Sequence, residues 1–191
     1  MKFIYYQILK IKYNLINTFY FFLFGVKKNE NLRINGILFL RAKGNLKFGK
    51  NVVINSSFKF NPIGGQTFMS IVVNNNAILK IEDGVAMSNS SIYCVNNIFI
   101  GKKVFIGGDC KIYDTDFHSI HLKERIKEPQ SGIKTKPVYI SDGVFIGTGS
   151  IILKGVNIGC NSVIAAGSVV SKNIPPNEVW GGNPIKFIKK I

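Results

Sequence analysis

VYISDG VFIGTG SIILKG VNIGCN SVIAAG SVVSKN, residues 138–173, is six hexads laid end to end. The third residue of each is Ile140, Ile146, Ile152, Ile158, Ile164 and Val170, every one aliphatic and β-branched. A step of six matches neither the turn of an α-helix nor the simple alternation of a strand. One inward aliphatic followed by Gly, Asp, Asn or Ser suits a short flat strand and then a corner. Coils of such strands stack into parallel sheets around a ladder of aliphatic side chains. Glycines such as Gly143, Gly149, Gly155 and Gly167 fall where a corner needs unusual backbone angles. The predicted fold class is therefore an all-β solenoid. A β-sandwich with accidental spacing is the competing architecture, and its strands repeat less regularly.

The same step recurs at Ile100, Ile106 and Ile112. Degraded runs extend it upstream through Ile81, Met87 and Tyr93, and through Phe48, Ile54 and Phe60. The repeat breaks after Ile112 and resumes near Val138, across YDTDFHSIHLKERIKEPQSGIKTKP (113–137). This polar stretch is expected to project from one edge, where loops on a rigid scaffold commonly carry function. Both histidines, His118 and His121, lie in it. A neutral imidazole can take a proton near neutral pH, and a nearby carboxylate can orient it. Asp114 and Asp116 stand just upstream of His118, and Asp116 is the candidate orienting residue, with a turn-forming aspartate as the plainer alternative. His121 is expected to be an exposed loop residue.

Upstream, YNLINTFYFFLFGV (13–26) carries no charge but is short of the roughly 20 residues a membrane span requires. FGVKKNE offers no small-residue cleavage site of the kind a signal peptide needs. Ile4, Ile8, Ile11, Leu15, Phe19, Phe22 and Val26 recur at helical steps, so residues 1–30 are expected to form an apolar helix and 31–191 the solenoid. Tyr5, Tyr6, Tyr13, Tyr20, Phe21 and Phe24 lie off that stripe. The helix is expected to dock on the body or on a neighbouring subunit; the alternative is a membrane surface, with Lys2, Lys10 and Lys12 at the headgroups.

The net charge of +15 favours a polyanionic neighbour such as an acidic glycan, an anionic membrane or a phosphorylated cofactor. No nucleic-acid-binding motif accompanies it, so nucleic acid is not an expected partner. Cys94, Cys110 and Cys160 are isolated, without metal-type spacing, and all three are expected to be small buried hydrophobes in a reducing compartment.

From Ile98 to Ile191 the chain resembles the hexapeptide-repeat acyltransferases, which include galactoside, maltose and serine acetyltransferases and capsule or O-antigen O-acetyltransferases. The signature is GTGSIILKGVNIGCNSVIAAGSVVSKNIPPNEVWGGNPIKFIKK (147–190). Residues 44–97 follow the pattern loosely and the N-terminal helix hardly at all. The resemblance implies a left-handed parallel β-helix of three strands per coil, a hand that general crossover rules would not supply. It further implies acetyl-CoA as donor, a homotrimer with sites at subunit boundaries, and a carbohydrate acceptor. His118 in DTDFHSI maps to the catalytic base. Thr148, Ala166, Ser171 and Lys172 align with coenzyme-contact positions in coils 138–191. Lys186 and Lys189 match positions where the family often has Arg or Lys; otherwise they form a solvated basic tail.

Three positions depart from the family pattern. Phe145 stands where Trp is common. Met87 and Val95 stand where galactoside acetyltransferases carry an acceptor-binding Asn and Asp, with Asn89 and Ser90 as nearby polar substitutes. The expected function is acetyl-CoA-dependent O-acetylation of a sugar hydroxyl of a surface polysaccharide or its precursor. It would occur in the cytoplasm, where acetyl-CoA is supplied, and the basic charge and apolar helix are compatible with the inner membrane face. The alternatives are N-acetylation of an amino sugar, an antibiotic-modifying acetyltransferase, or a non-enzymatic binding solenoid. A carbonic-anhydrase-like metal site would need three histidines, and the chain has two, so no metal is expected.

Overall fold

A computed structural model describes residues 2–29, 31–128 and 130–191, the side chains of Lys2 and Phe3 excepted. The expected domain boundary at residue 30 falls on Glu30, outside these residues. The chain is a left-handed parallel β-helix. Its first coil is Arg33–Gly36, Phe39–Ala42 and Asn45–Phe48, one strand for each of three sheets. Later coils add to the same sheets in parallel register, so like positions stack. Ile54, Met87, Ile106, Ile146 and Ile164 form one ladder. Ile71, Ile92, Ile112, Ile152 and Val170 form the second. Phe48, Ile81, Ile100, Ile140 and Ile158 form the third. All of these side chains are buried, each worth about 1.5–3 kcal/mol on removal from water. Gly143, Gly149, Gly155 and Gly167 turn corners at φ of 70–78°, a region L side chains avoid.

The hexad register fails at two expected positions. Phe60 is not on a ladder. It lies in a second excursion, between Val53–Ser56 and Ser70–Val73, and packs edge-on against Tyr6 and Tyr13. Tyr93 points outward, because its strand, Ser91–Cys94, buries Ile92 and Cys94 instead. The corner at Asn89 (φ 40°) is one residue tighter than the hexad step assumes.

The N-terminal helix α1 (Lys2–Leu23) closes one end of the prism. Phe21 stacks on Phe48, ring centroids 5.9 Å apart. Asn17 is buried: its Nδ2 donates to the Gly36 carbonyl at 2.9 Å, and its Oδ1 accepts the Leu38 N–H at 3.0 Å. This polar clamp selects which face of a broadly apolar helix turns inward. The helix docks on the body, as expected, but through Tyr13, Asn17, Tyr20 and Phe21. The regular stripe from Ile4 to Phe22 faces outward. At the far end Glu178–Gly181 pairs antiparallel with Lys186–Lys190, and Trp180 and Ile185 pack on the last of the core.

Candidate active site

The excursion that carries His118 leaves the prism after the strand Lys111–Tyr113 and returns at Val138–Ile140. Strand alternation puts Asp114 on the inward side with Ile112, and the carboxylate is fully buried. A buried charge needs partners. Asp114 accepts the Val95 and Asn96 backbone N–H groups, both at 2.8 Å. The Cys94 thiol lies 3.5 Å from its Oδ2. Above this anchor the two arms of the loop form a short neck. Lys136 N donates to Asp114 O at 3.0 Å, Thr115 bridges Thr135, and Asp116 N donates to Lys134 O at 3.1 Å. Asp116 Oδ1 also pairs with Lys154 Nζ at 2.6 Å, tying the loop to the coil above.

Immediately past the neck, His118 N donates to Asp116 O at 2.7 Å, closing a three-residue turn around Phe117. Phe117 has a φ of 63°, an uncommon and strained conformation for a bulky residue. Its ring packs against Tyr93 and Tyr113, both centroids 5.0 Å away, which holds the turn in place. Burial, the largest influence, pushes the Tyr113 phenol above its usual range. On the other side of His118, Ser119 is buried and bonded to Glu124 of the short helix α2 (Leu122–Lys127), while Arg125 donates to the Ser119 carbonyl at 2.7 Å. His118 is thus fixed from both neighbours while its own side chain is exposed. It lines a cleft of about 470 Å³ with Tyr93, Phe117, Val95, Asn74 and Gln130. His121 is the exposed N-cap of α2 and makes no capping hydrogen bond through its side chain.

The residues aligned with coenzyme contacts occupy two corners and the terminal hairpin. Thr148 and Ala166 stack on one corner, joined by Gly167 N donating to Thr148 O at 2.8 Å. The corner is narrow: a Cβ on Gly147 would come within 2.5 Å of Ala166 N. Ser171 and Lys172 are exposed on the next corner in sequence, and Lys172 Nζ sits 5.2 Å from the Trp180 ring centroid. Lys186 and Lys189 are exposed on the hairpin strand. Phe145 points outward between Phe105 and Val163. Met87 is a core residue, whereas Val95 lines the His118 cleft. Asn89 and Ser90, the nearby polar substitutes, are both buried in structural roles. Asn89 Nδ2 donates to the Asn61 and Ile63 carbonyls, and Ser90 Oγ donates to those of Ser88 and Gly107.

The thiols divide unevenly. Cys94 and Cys110 are buried as expected, and burial is the main cause pushing both thiols up, helped at Cys94 by the Asp114 charge. Cys160, expected to be buried, is exposed because it falls at a corner, one residue past Gly159. A disulfide exchange reagent should therefore label one thiol rapidly in the native protein, Cys160, and the other two only on denaturation. Fast labelling of Cys94 would show that the loop neck opens.

No protein-family model matches the chain. A Saccharomyces cerevisiae protein named as an acetyltransferase is 49% identical over 94 residues, which is 49% of this chain and 46% of that protein. The galactoside O-acetyltransferase of Lactococcus lactis is 43% identical over 95 residues, covering 50% of this chain and 44% of the enzyme. The chain therefore spans about half the length of these relatives. In structure, a hexapeptide-repeat-containing acetyltransferase from Vibrio cholerae superposes with a TM-score of 0.58 at 24% identity, covering 96% of this chain and 87% of the other. In sequence the chain is similar over about half its length to proteins named acetyltransferases, and in fold over nearly all of it to a hexapeptide-repeat-containing acetyltransferase.

Proposed function

We propose that this chain is an acetyl-CoA-dependent O-acetyltransferase acting on a sugar hydroxyl of a surface polysaccharide, such as a capsule or O-antigen, or of its precursor. The observation that carries this reading is the placement of His118. A stapled loop and a strained turn hold it on the wall of an aromatic-lined cleft, in a chain half matched by proteins named acetyltransferases. Strain held in place by surrounding packing is a mark of functional sites.

In the proposed chemistry the His118 imidazole takes the proton of the acceptor hydroxyl as its oxygen attacks the thioester carbonyl, and returns that proton to the departing thiolate. Transfer is direct, with no acyl-enzyme. The Asp116 carboxylate is engaged by Lys154, so its proposed influence on the ring runs through the turn it closes with the His118 N–H. Thr148, Ala166, Ser171, Lys172, Lys186 and Lys189 are the residues proposed to hold the coenzyme. The corner of Thr148 and Ala166 is slim enough for an extended arm to lie along it, and the exposed lysines offer charge to a pyrophosphate and a 3′-phosphate. A homotrimer, with sites between neighbouring subunits, and a cytoplasmic location, where acetyl-CoA is made, complete the proposal.

The test is acetyl-CoA turnover against a panel of neutral sugars, acidic glycans and amino sugars. Release of free thiol with an ester-linked acetyl group on at least one glycan is expected. Transfer only to amines would replace the O-acetyl reading, and no transfer to any acceptor would end it.

A further inference from the structure

We propose that the N-terminal end of the prism rests on an anionic lipid surface, with the outward stripe of α1 lying in the acyl boundary. The inference is independent of the chemistry at His118. Ile4, Ile8, Ile11, Leu15, Phe19 and Phe22 are each 59–84% exposed. They occupy one side of a 22-residue helix, roughly 33 Å long. A contiguous apolar stripe of this size marks an interaction surface. Because Asn17 and Phe21 fix the opposite face to the body, the helix cannot roll to hide it.

Charge identifies the occupant. Of the 25 Lys and Arg residues, 11 fall in the first 60 positions, against only one of the 10 acidic residues. Two-thirds of the molecule's net +15 is therefore gathered at the end that carries the stripe. Lys12 borders the stripe between Ile8 and Leu15, and exposed Lys27 and Lys28 lie just beyond the helix. Lys59, from the neighbouring excursion, bonds the Tyr5 hydroxyl beside the stripe. A second copy packed on this face would bring two such basic clusters together, whereas anionic headgroups would neutralise them. Among the described residues no helix is long and apolar enough to cross a membrane, so the helix would lie in the interface.

The experiment is co-sedimentation of the full chain with phosphatidylcholine vesicles, with and without about a quarter phosphatidylglycerol. Binding to the anionic vesicles, weakening as salt is raised, is expected. The double variant Leu15→Glu, Phe19→Glu should bind at least about tenfold less, and Lys12→Glu, Lys59→Glu should lose the preference for phosphatidylglycerol. All four side chains are exposed, so both variants should keep the wild-type thermal midpoint. Binding that is unchanged in the stripe variant would overturn the proposal. So would a wild type that ignores vesicles while the stripe variant falls to a smaller species by light scattering, which would assign the face to a second copy.

Discussion

Replacement of His118 by alanine is expected to lower acetyl-CoA turnover by about 10²–10⁴-fold, the range a positioned general base supplies. The loss should appear in kcat, with little change in the affinity for coenzyme. Stability should not move. The ring is exposed, and among the described residues it has no hydrogen-bond partner, so its removal leaves nothing buried and unpaired. His121→Ala is the matched control. It removes the other imidazole of the same loop from an exposed position with no capping bond, and turnover should stay within about twofold of wild type. Turnover that survives in His118→Ala would reject the assigned base. Equal losses in both variants would point to the loop as a whole instead of to one ring.

What made the prism legible is its economy. One aliphatic per hexad suffices to define a ladder, so Ile140 to Val170 reveal the coils even though the outward positions are free to vary. The excursion between Ser56 and Ser70 stayed hidden because Phe60 happens to keep the hexad step while leaving the core. The docking face of the helix was left open for a different reason. Its stripe has the periodicity of a buried face, but periodicity reports amphipathicity and not which side has a partner. Asn17, a polar residue inside an apolar run, held the information, since a buried amide can dock only where a carbonyl and an N–H await it. At the site, the two aspartates before His118 were visible, but their roles were not. Alternation from Ile112 places Asp114 inward and Asp116 at the loop's edge, so the parity of the strand would have marked Asp114 as the anchor. The strained turn at Phe117 has no comparable signal, because nothing about a phenylalanine announces a positive φ.

That anchor makes the second strong prediction. Asp114→Ala would leave two backbone N–H groups, those of Val95 and Asn96, without their acceptor in a site closed to water. Each unsatisfied donor costs about 1–3 kcal/mol, so the variant should lose roughly 2–5 kcal/mol and about 5–15 °C of thermal midpoint. Asp114→Asn keeps one acceptor oxygen and should lose about half as much. Activity should fall as well, by at least about tenfold, because the neck that begins at Asp114 sets the position of the Phe117 turn, and small misplacements of a reacting group are costly. The Cys94 thiol, which faces the same carboxylate, should become open to labelling in step with that loss. The pair of variants then separates two kinds of dependence. His118→Ala should lose chemistry with the fold intact, while Asp114→Ala should lose both together and recover part of each as Asp114→Asn. If Asp114→Ala melted and turned over like the wild type, the loop would be held by something other than this carboxylate, and the account of how His118 is positioned would fail even if His118 itself proved essential.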